Sequence, residues 1–79
     1  MSDIAAIAAG LSEARCRTIL AMEAGWEYPS GSPPPFRGAT LHRLRDEGLT
    51  DGECADDGTL YFWLTPLGLA VKAHLEAGG

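Results

Sequence analysis

In Phe36-Arg37-Gly38-Ala39-Thr40-Leu41-His42-Arg43-Leu44-Arg45-Asp46-Glu47-Gly48-Leu49, a short helix is written together with its stop. Leu41 and Leu44 lie one helical turn apart and share a face. Gly48 falls where a left-handed helix cap is wanted, and Leu49 is placed to fold back onto the core behind it. Working outward from this segment, the spacing predicts a helix over 37–47.

Downstream, Thr50-Asp51-Gly52-Glu53-Cys54 and Thr59-Leu60-Tyr61-Phe62-Trp63-Leu64 read as two strands around Ala55-Asp56-Asp57-Gly58, and Asp57-Gly58 is a strong hairpin turn signal. Leu60, Phe62 and Leu64 point to one side of the second strand, Tyr61 and Trp63 to the other. Neither side is polar, and since a hairpin normally keeps one solvated face, one of these sets must be covered by something. Thr65 as N-cap, with Pro66 at the first helical position, opens a closing helix. Leu67, Ala70, Val71, His74 and Leu75 form its inner or flanking stripe.

The order of helix, glycine stop, hairpin and Thr-Pro helix start resembles a winged helix-turn-helix domain over roughly residues 11 to 77. The resemblance implies a mainly α fold with a small antiparallel β-hairpin: three to four helices plus a two-stranded wing. In that family the 37–47 helix would be the recognition helix, 50–64 the wing, and "LTPLGLAV" the opening of the last helix. The implied function is that of a small DNA-binding protein, a transcriptional regulator.

Upstream, Asp3 can cap a short helix within residues 1–11, with Ile4, Ile7, Ala8 and Leu11 on one face and Gly10 ending or bending it. Ser12 offers a second cap, Glu13 suits the helix dipole, and Cys16, Ile19, Leu20 and Glu23 line one side as far as about Ala24. Glu13 and Arg17 make an i,i+4 pair on the other side. Residues 25–35, Gly-Trp-Glu-Tyr-Pro-Ser-Gly-Ser-Pro-Pro-Pro, form a proline-rich loop, because proline lacks the N–H donor and disfavours helix in the residue before it. Two assignments follow. Either helices occupy 3–10, 12–24 and 37–47 with a long loop before the last, or this loop replaces the helix that normally precedes the recognition helix. In both, the tight turn of the motif is missing.

Seventy-nine residues make one domain, 1–79. So short a chain buries only about 60–65% of its unfolded surface, which leaves a small core that association would help. The composition is that of a globular chain, with 46% hydrophobic and 22% charged residues. The net charge of −5 weighs against a free-standing phosphate binder unless cations are gathered locally. Cys16 and Cys54 lie in no metal-ligand spacing and read as a small buried apolar side chain on a helix and an incidental strand-end thiol. With no basic start before its apolar run and nothing of membrane-spanning length, the chain is expected to be cytoplasmic.

No paired carboxylates in an apolar setting, nucleophile elbow, phosphate-cradling loop or histidine-rich metal pattern is present in the sequence. An enzyme is not expected, nor a cofactor, a metal or a small-molecule substrate. The candidate DNA-binding residues are Arg37, His42, Arg43 and Arg45. Rotating at about 100° per residue puts Ala39, His42, Arg43 and Asp46 opposite the Leu41/Leu44 face, and Arg45 on its flank. In a groove-docking reading, His42 and Arg43 face bases while Arg37 and Arg45 reach phosphates. In a competing reading, Arg43 pairs with Glu47 and Asp46, and His42 with Asp46. Asp46 opposes phosphate, and Asp51, Glu53, Asp56 and Asp57 make the hairpin repel it.

The aromatic residues offer a different surface. Trp26, Tyr28, Tyr61 and Trp63, if gathered on one face, would suit a protein partner or a second copy of the chain. Two partner classes therefore stay open: double-stranded DNA, or a protein bound by an acidic interaction module, such as an adaptor or an inhibitor of a nucleic-acid-handling partner.

Overall fold

The computed structural model describes residues 3–29 and 36–78. Its described residues hold four helices, α1 (Ile4–Gly10), α2 (Glu13–Ala21), α3 (Gly38–Asp46) and α4 (Pro66–Glu76). They also hold three strands, β1 (Tyr28–Pro29), β2 (Thr50–Cys54) and β3 (Leu60–Leu64), in one antiparallel sheet of order β1-β3-β2. The chain is mainly helical with a small antiparallel sheet.

Each helix starts or stops for a local reason. Asp3 Oδ1 accepts from the Ala6 N–H at 3.2 Å, and Ser12 Oγ from the Arg15 N–H at 3.3 Å. At the end of α3, the Gly48 N–H donates to the Arg45 carbonyl and the Leu49 N–H to the Leu44 carbonyl, both at 2.9 Å. This is a Schellman cap, with Gly48 at φ +80° and the fully buried pair Leu44 and Leu49 as its apolar clasp. The expected glycine stop is thus present in detail.

The core is Ala8, Ile19, Met22, Leu41, Leu44, Leu49, Phe62, Leu64 and Val71, so every helix and β3 contribute to it. The Thr50 hydroxyl donates to the Leu41 carbonyl at 3.1 Å and ties β2 to α3 inside this core. Lys72 Nζ donates to the Met22 carbonyl at 2.5 Å, so α4 closes the end of α2. Gly52 faces Phe62 across the sheet, where a Cβ would come within 3.2 Å of the ring. Any side chain at position 52 would crowd the Phe62 ring.

Three expectations need correcting. The sheet has three strands rather than two: Tyr28 pairs with Phe62 and Pro29 with Tyr61, on the edge of β3 that β2 leaves open. Pro29 is tolerated because β1 is an edge strand. The remainder of the expected 25–35 loop, residues 30–35, lies outside the described residues. Second, α2 ends at Ala21 rather than Ala24, and Leu20, expected on the same side as the fully buried Ile19, is 42% exposed, while Met22, the C-cap residue, is in the core. Third, Cys16 is half-buried rather than buried, while Cys54 is exposed at the end of β2; both are free thiols.

Candidate functional site: the outward face of α3

The exposed face of α3 carries Ala39, His42, Arg43 and Asp46, with Arg37 exposed just before its first turn. Leu41 and Leu44 on the opposite side are fully buried, which fixes the helix's rotation. Arg37 occupies the N-cap position but makes no side-chain cap bond. The opening N–H groups of α3 therefore carry the helix's positive partial charge beside the Arg37 guanidinium.

The two flanks of this face lead to different neighbours. On the hairpin side, the His42 ring meets Phe62 edge-on, with centroids 5.1 Å apart and planes at 81°. Arg45 Nε stands 4.0 Å from Asp51 Oδ1 on the same side. His42 is exposed, yet its ring is oriented by a core aromatic. Arg45 is likewise drawn partly toward an acidic neighbour on β2.

On the other side lies the N-terminal half of α2. Ser12, the N-cap of α2, and Ala14 and Arg15 from its first turn, with Ala39, Thr40 and Arg43 from α3, line a shallow cleft of about 300 Å³. Arg15 is held there twice, donating from Nε to Ser12 Oγ at 3.1 Å and pairing through Nη1 with Glu47. The expected pairing of Glu47 with Arg43 is thus displaced by a contact from another helix. Neither Arg43 nor Arg37 has a carboxylate within ion-pair distance among the described residues, and Asp46 pairs with neither Arg43 nor His42. Arg17 is occupied by Glu13, as expected of that i,i+4 pair.

Arg15 and Thr40 are the site residues that sequence reasoning missed. Arg15 is remote from α3 in the chain, and nothing in its local pattern beyond the Ser12 cap marks it. The fold brings it beside Arg43.

Asp51, Glu53, Asp56 and Asp57 are all exposed along the hairpin. At the tip, the Thr59 backbone N–H donates to Asp57 Oδ1 at 2.9 Å, and this bond, with help from the Thr59 hydroxyl, holds the Asp57 carboxyl below its ordinary value of 3.8. The tip is anionic at neutral pH.

The four aromatic residues do not form one surface. Tyr61 and Trp63 are half-buried on the sheet face away from the helices, and neither belongs to the core. Trp26 is 65% exposed in the α2–β1 connection. Tyr28 departs from the expectation. Its register partner is the core-facing Phe62, so it lies on the inner face, stacked on Phe36 with centroids 4.5 Å apart. Its hydroxyl accepts from the Glu23 N–H at 2.7 Å.

No group of His, Cys, Asp and Glu among the described residues could hold a metal ion, and no described helix is long and apolar enough to cross a membrane. Compared with protein-family models, curated proteins and solved structures, the chain matches none of them.

Proposed function

We propose that this chain is a small winged-helix DNA-binding protein, a transcriptional regulator, with α3 as its recognition helix. In support of the winged-helix reading, α3 leads through its glycine cap directly into β2, β2 and β3 form a hairpin, and β1 adds to the far edge of β3. The observation that carries the DNA reading is the pairing of Glu47 with Arg15. It occupies the carboxylate best spaced to neutralise Arg43, and so leaves Arg43 and Arg37 available on an exposed helix face. Contacts would run through that face and the α2 rim, while the acidic hairpin stands off the duplex.

Fluorescence anisotropy with mixed-sequence duplexes, titrated with salt from low ionic strength, tests this. Each phosphate neutralised adds about 0.9 to the slope of log affinity against log salt, so phosphates reached by Arg37 and, in part, Arg45, with Arg43 reading a base, give a slope of about one to two. A flat response at low salt refutes the reading. In that case the outer sheet face, where Tyr61 and Trp63 lie outside the core, favours the second reading: an acidic protein-interaction module that does not bind DNA.

A further inference from the structure

We infer that the outer face of the sheet is a docking surface for an arginine- or lysine-rich segment of a partner protein. The strand register fixes what this face presents. Trp63 stands opposite Asp51, and Tyr61 stands between Pro29 on β1 and Glu53 on β2. The two aromatics occupy the central strand, with Asp51 and Glu53 exposed along one edge and Glu27 exposed just before β1 on the other. The helices and the core lie on the opposite side, with Phe62, Leu64 and Tyr28.

Charge selects the occupant. Among the described residues, the one cation brought to this rim is Arg45, whose Nε stands 4.0 Å from Asp51 Oδ1, and neither Glu53 nor Glu27 has a cation within ion-pair distance. The chain's other cations are held elsewhere: Arg17 on Glu13, Arg15 on Glu47, Lys72 on the Met22 carbonyl, and Arg37 and Arg43 on the α3 face. Indole and phenol rings flanked by carboxylates suit a guanidinium or ammonium, which can lie over a ring face while donating to an adjacent carboxylate. An acidic peptide or a phosphate backbone would be repelled. A second copy, with the same net charge of −5, is a poorer match than a cationic segment. The inference stands apart from the DNA reading, since it uses a different face and the opposite charge.

The experiment uses the full chain carrying Trp26→Phe, which leaves Trp63 as its sole tryptophan. A short alternating Arg-Gly peptide is titrated while Trp63 emission is followed, with an alternating Glu-Gly peptide as control. The Arg-Gly peptide should give a saturable, salt-sensitive change, and the Glu-Gly peptide none. Asp51→Asn combined with Glu53→Gln should weaken binding about three- to tenfold. Asp56→Asn combined with Asp57→Asn, at the hairpin tip, should leave it unchanged. Both pairs change exposed residues, and circular dichroism confirms that each variant is folded. An equal loss from the tip variant would reduce the effect to bulk acidity and overturn the inference. A silent Trp63 would overturn it too, as would self-association of the peptide-free protein that Trp63→Ser abolishes, since the occupant would then be a second copy. None of these outcomes bears on the salt titration with duplex, so the two readings fail separately.

Discussion

The Thr65 hydroxyl donates to the Gly48 carbonyl at 2.7 Å and accepts from the Gly68 N–H at 3.0 Å, so one side chain joins the end of α3 to the start of α4. The Thr65 N–H adds a bond to the Leu49 carbonyl at 3.1 Å. Gly68 permits this approach, because a Cβ there would sit 2.0 Å from the Leu49 oxygen. The glycine cap thus does more than end α3. It presents two carbonyls that α4 uses to lock the helix, and with it the Arg43 face, against the rest of the domain.

Substitutions at this junction should separate cap loss from steric overlap. Thr65→Ser keeps donor and acceptor and should stay near wild-type stability. Thr65→Val removes both and should cost about 1–2 kcal/mol, the range for a lost N-cap. Gly68→Ala forces backbone against side chain in a spot with no room to relax, and should cost about 3 kcal/mol or more. Urea denaturation orders the three, and an unchanged midpoint for Gly68→Ala would mean that α4 does not approach Leu49 this closely.

Asp46 and Glu47 are adjacent carboxylates with opposite roles. Asp46 sits on the exposed face with no ion-pair partner among the described residues, so Asp46→Asn should strengthen duplex binding at low salt and leave stability unchanged. Glu47 is paired with Arg15. Glu47→Gln should also strengthen binding, by releasing a cation into the cleft beside Arg43, but at a loss of about 0.5–1 kcal/mol in stability. Anisotropy and denaturation on both variants give the test. Weaker binding by Glu47→Gln would show that the pair positions Arg15 rather than withholding it.

The arginines of α3 should differ in kind. Arg43→Ala should cost about 1–3 kcal/mol on a preferred duplex and relax sequence choice, as loss of a base contact does. Arg37→Ala should weaken all duplexes alike and lower the salt slope by about one unit. Arg45→Ala should do less than either, because Asp51 stands 4.0 Å from its guanidinium. Salt titrations of the three variants on two unrelated duplexes distinguish these patterns. Equal losses from all three would leave Arg43 as a phosphate contact.

What could be read from the sequence is what local chemistry decides. The caps at Asp3, Ser12 and Thr65 and the stop at Gly48-Leu49 each depend on a few consecutive residues, and all four are present. The hairpin was legible from Asp57-Gly58 and the alternation in β3. Strand β1 was not, because Tyr28 and Pro29 become a strand only through Phe62 and Tyr61, far along the chain. The same applies to Tyr28's turn inward. The site was legible only by halves. Helical rotation put Arg43 outside correctly, but its freedom from Glu47 depends on Arg15, which lies 32 residues before Glu47 in the chain. No rule of helical spacing could anticipate the edge-on contact of the His42 ring with Phe62.

Acid should act on the hairpin tip through Asp57. Its carboxyl accepts from the Thr59 N–H, which lowers its folded pKa beneath the ordinary value of 3.8. A depressed folded value means that the ionised form is favoured by folding, so Asp57 contributes stability above the unfolded value. That contribution is lost as pH falls from about 4 through the lower folded value. Asp57→Asn keeps an oxygen for the Thr59 N–H but cannot titrate. Its stability should therefore fall less steeply than wild type over that acid window, while Asp57→Ala should be less stable than wild type at neutral pH and equally flat. Urea midpoints across the window, with the Thr59 amide shift followed by NMR as a local reporter, make the comparison. In wild type the amide should titrate below 3.8, and in Asp57→Asn it should not move. Parallel acid profiles for wild type and Asp57→Asn, with a Thr59 amide that moves in both, would assign the acid response to other carboxylates of the hairpin.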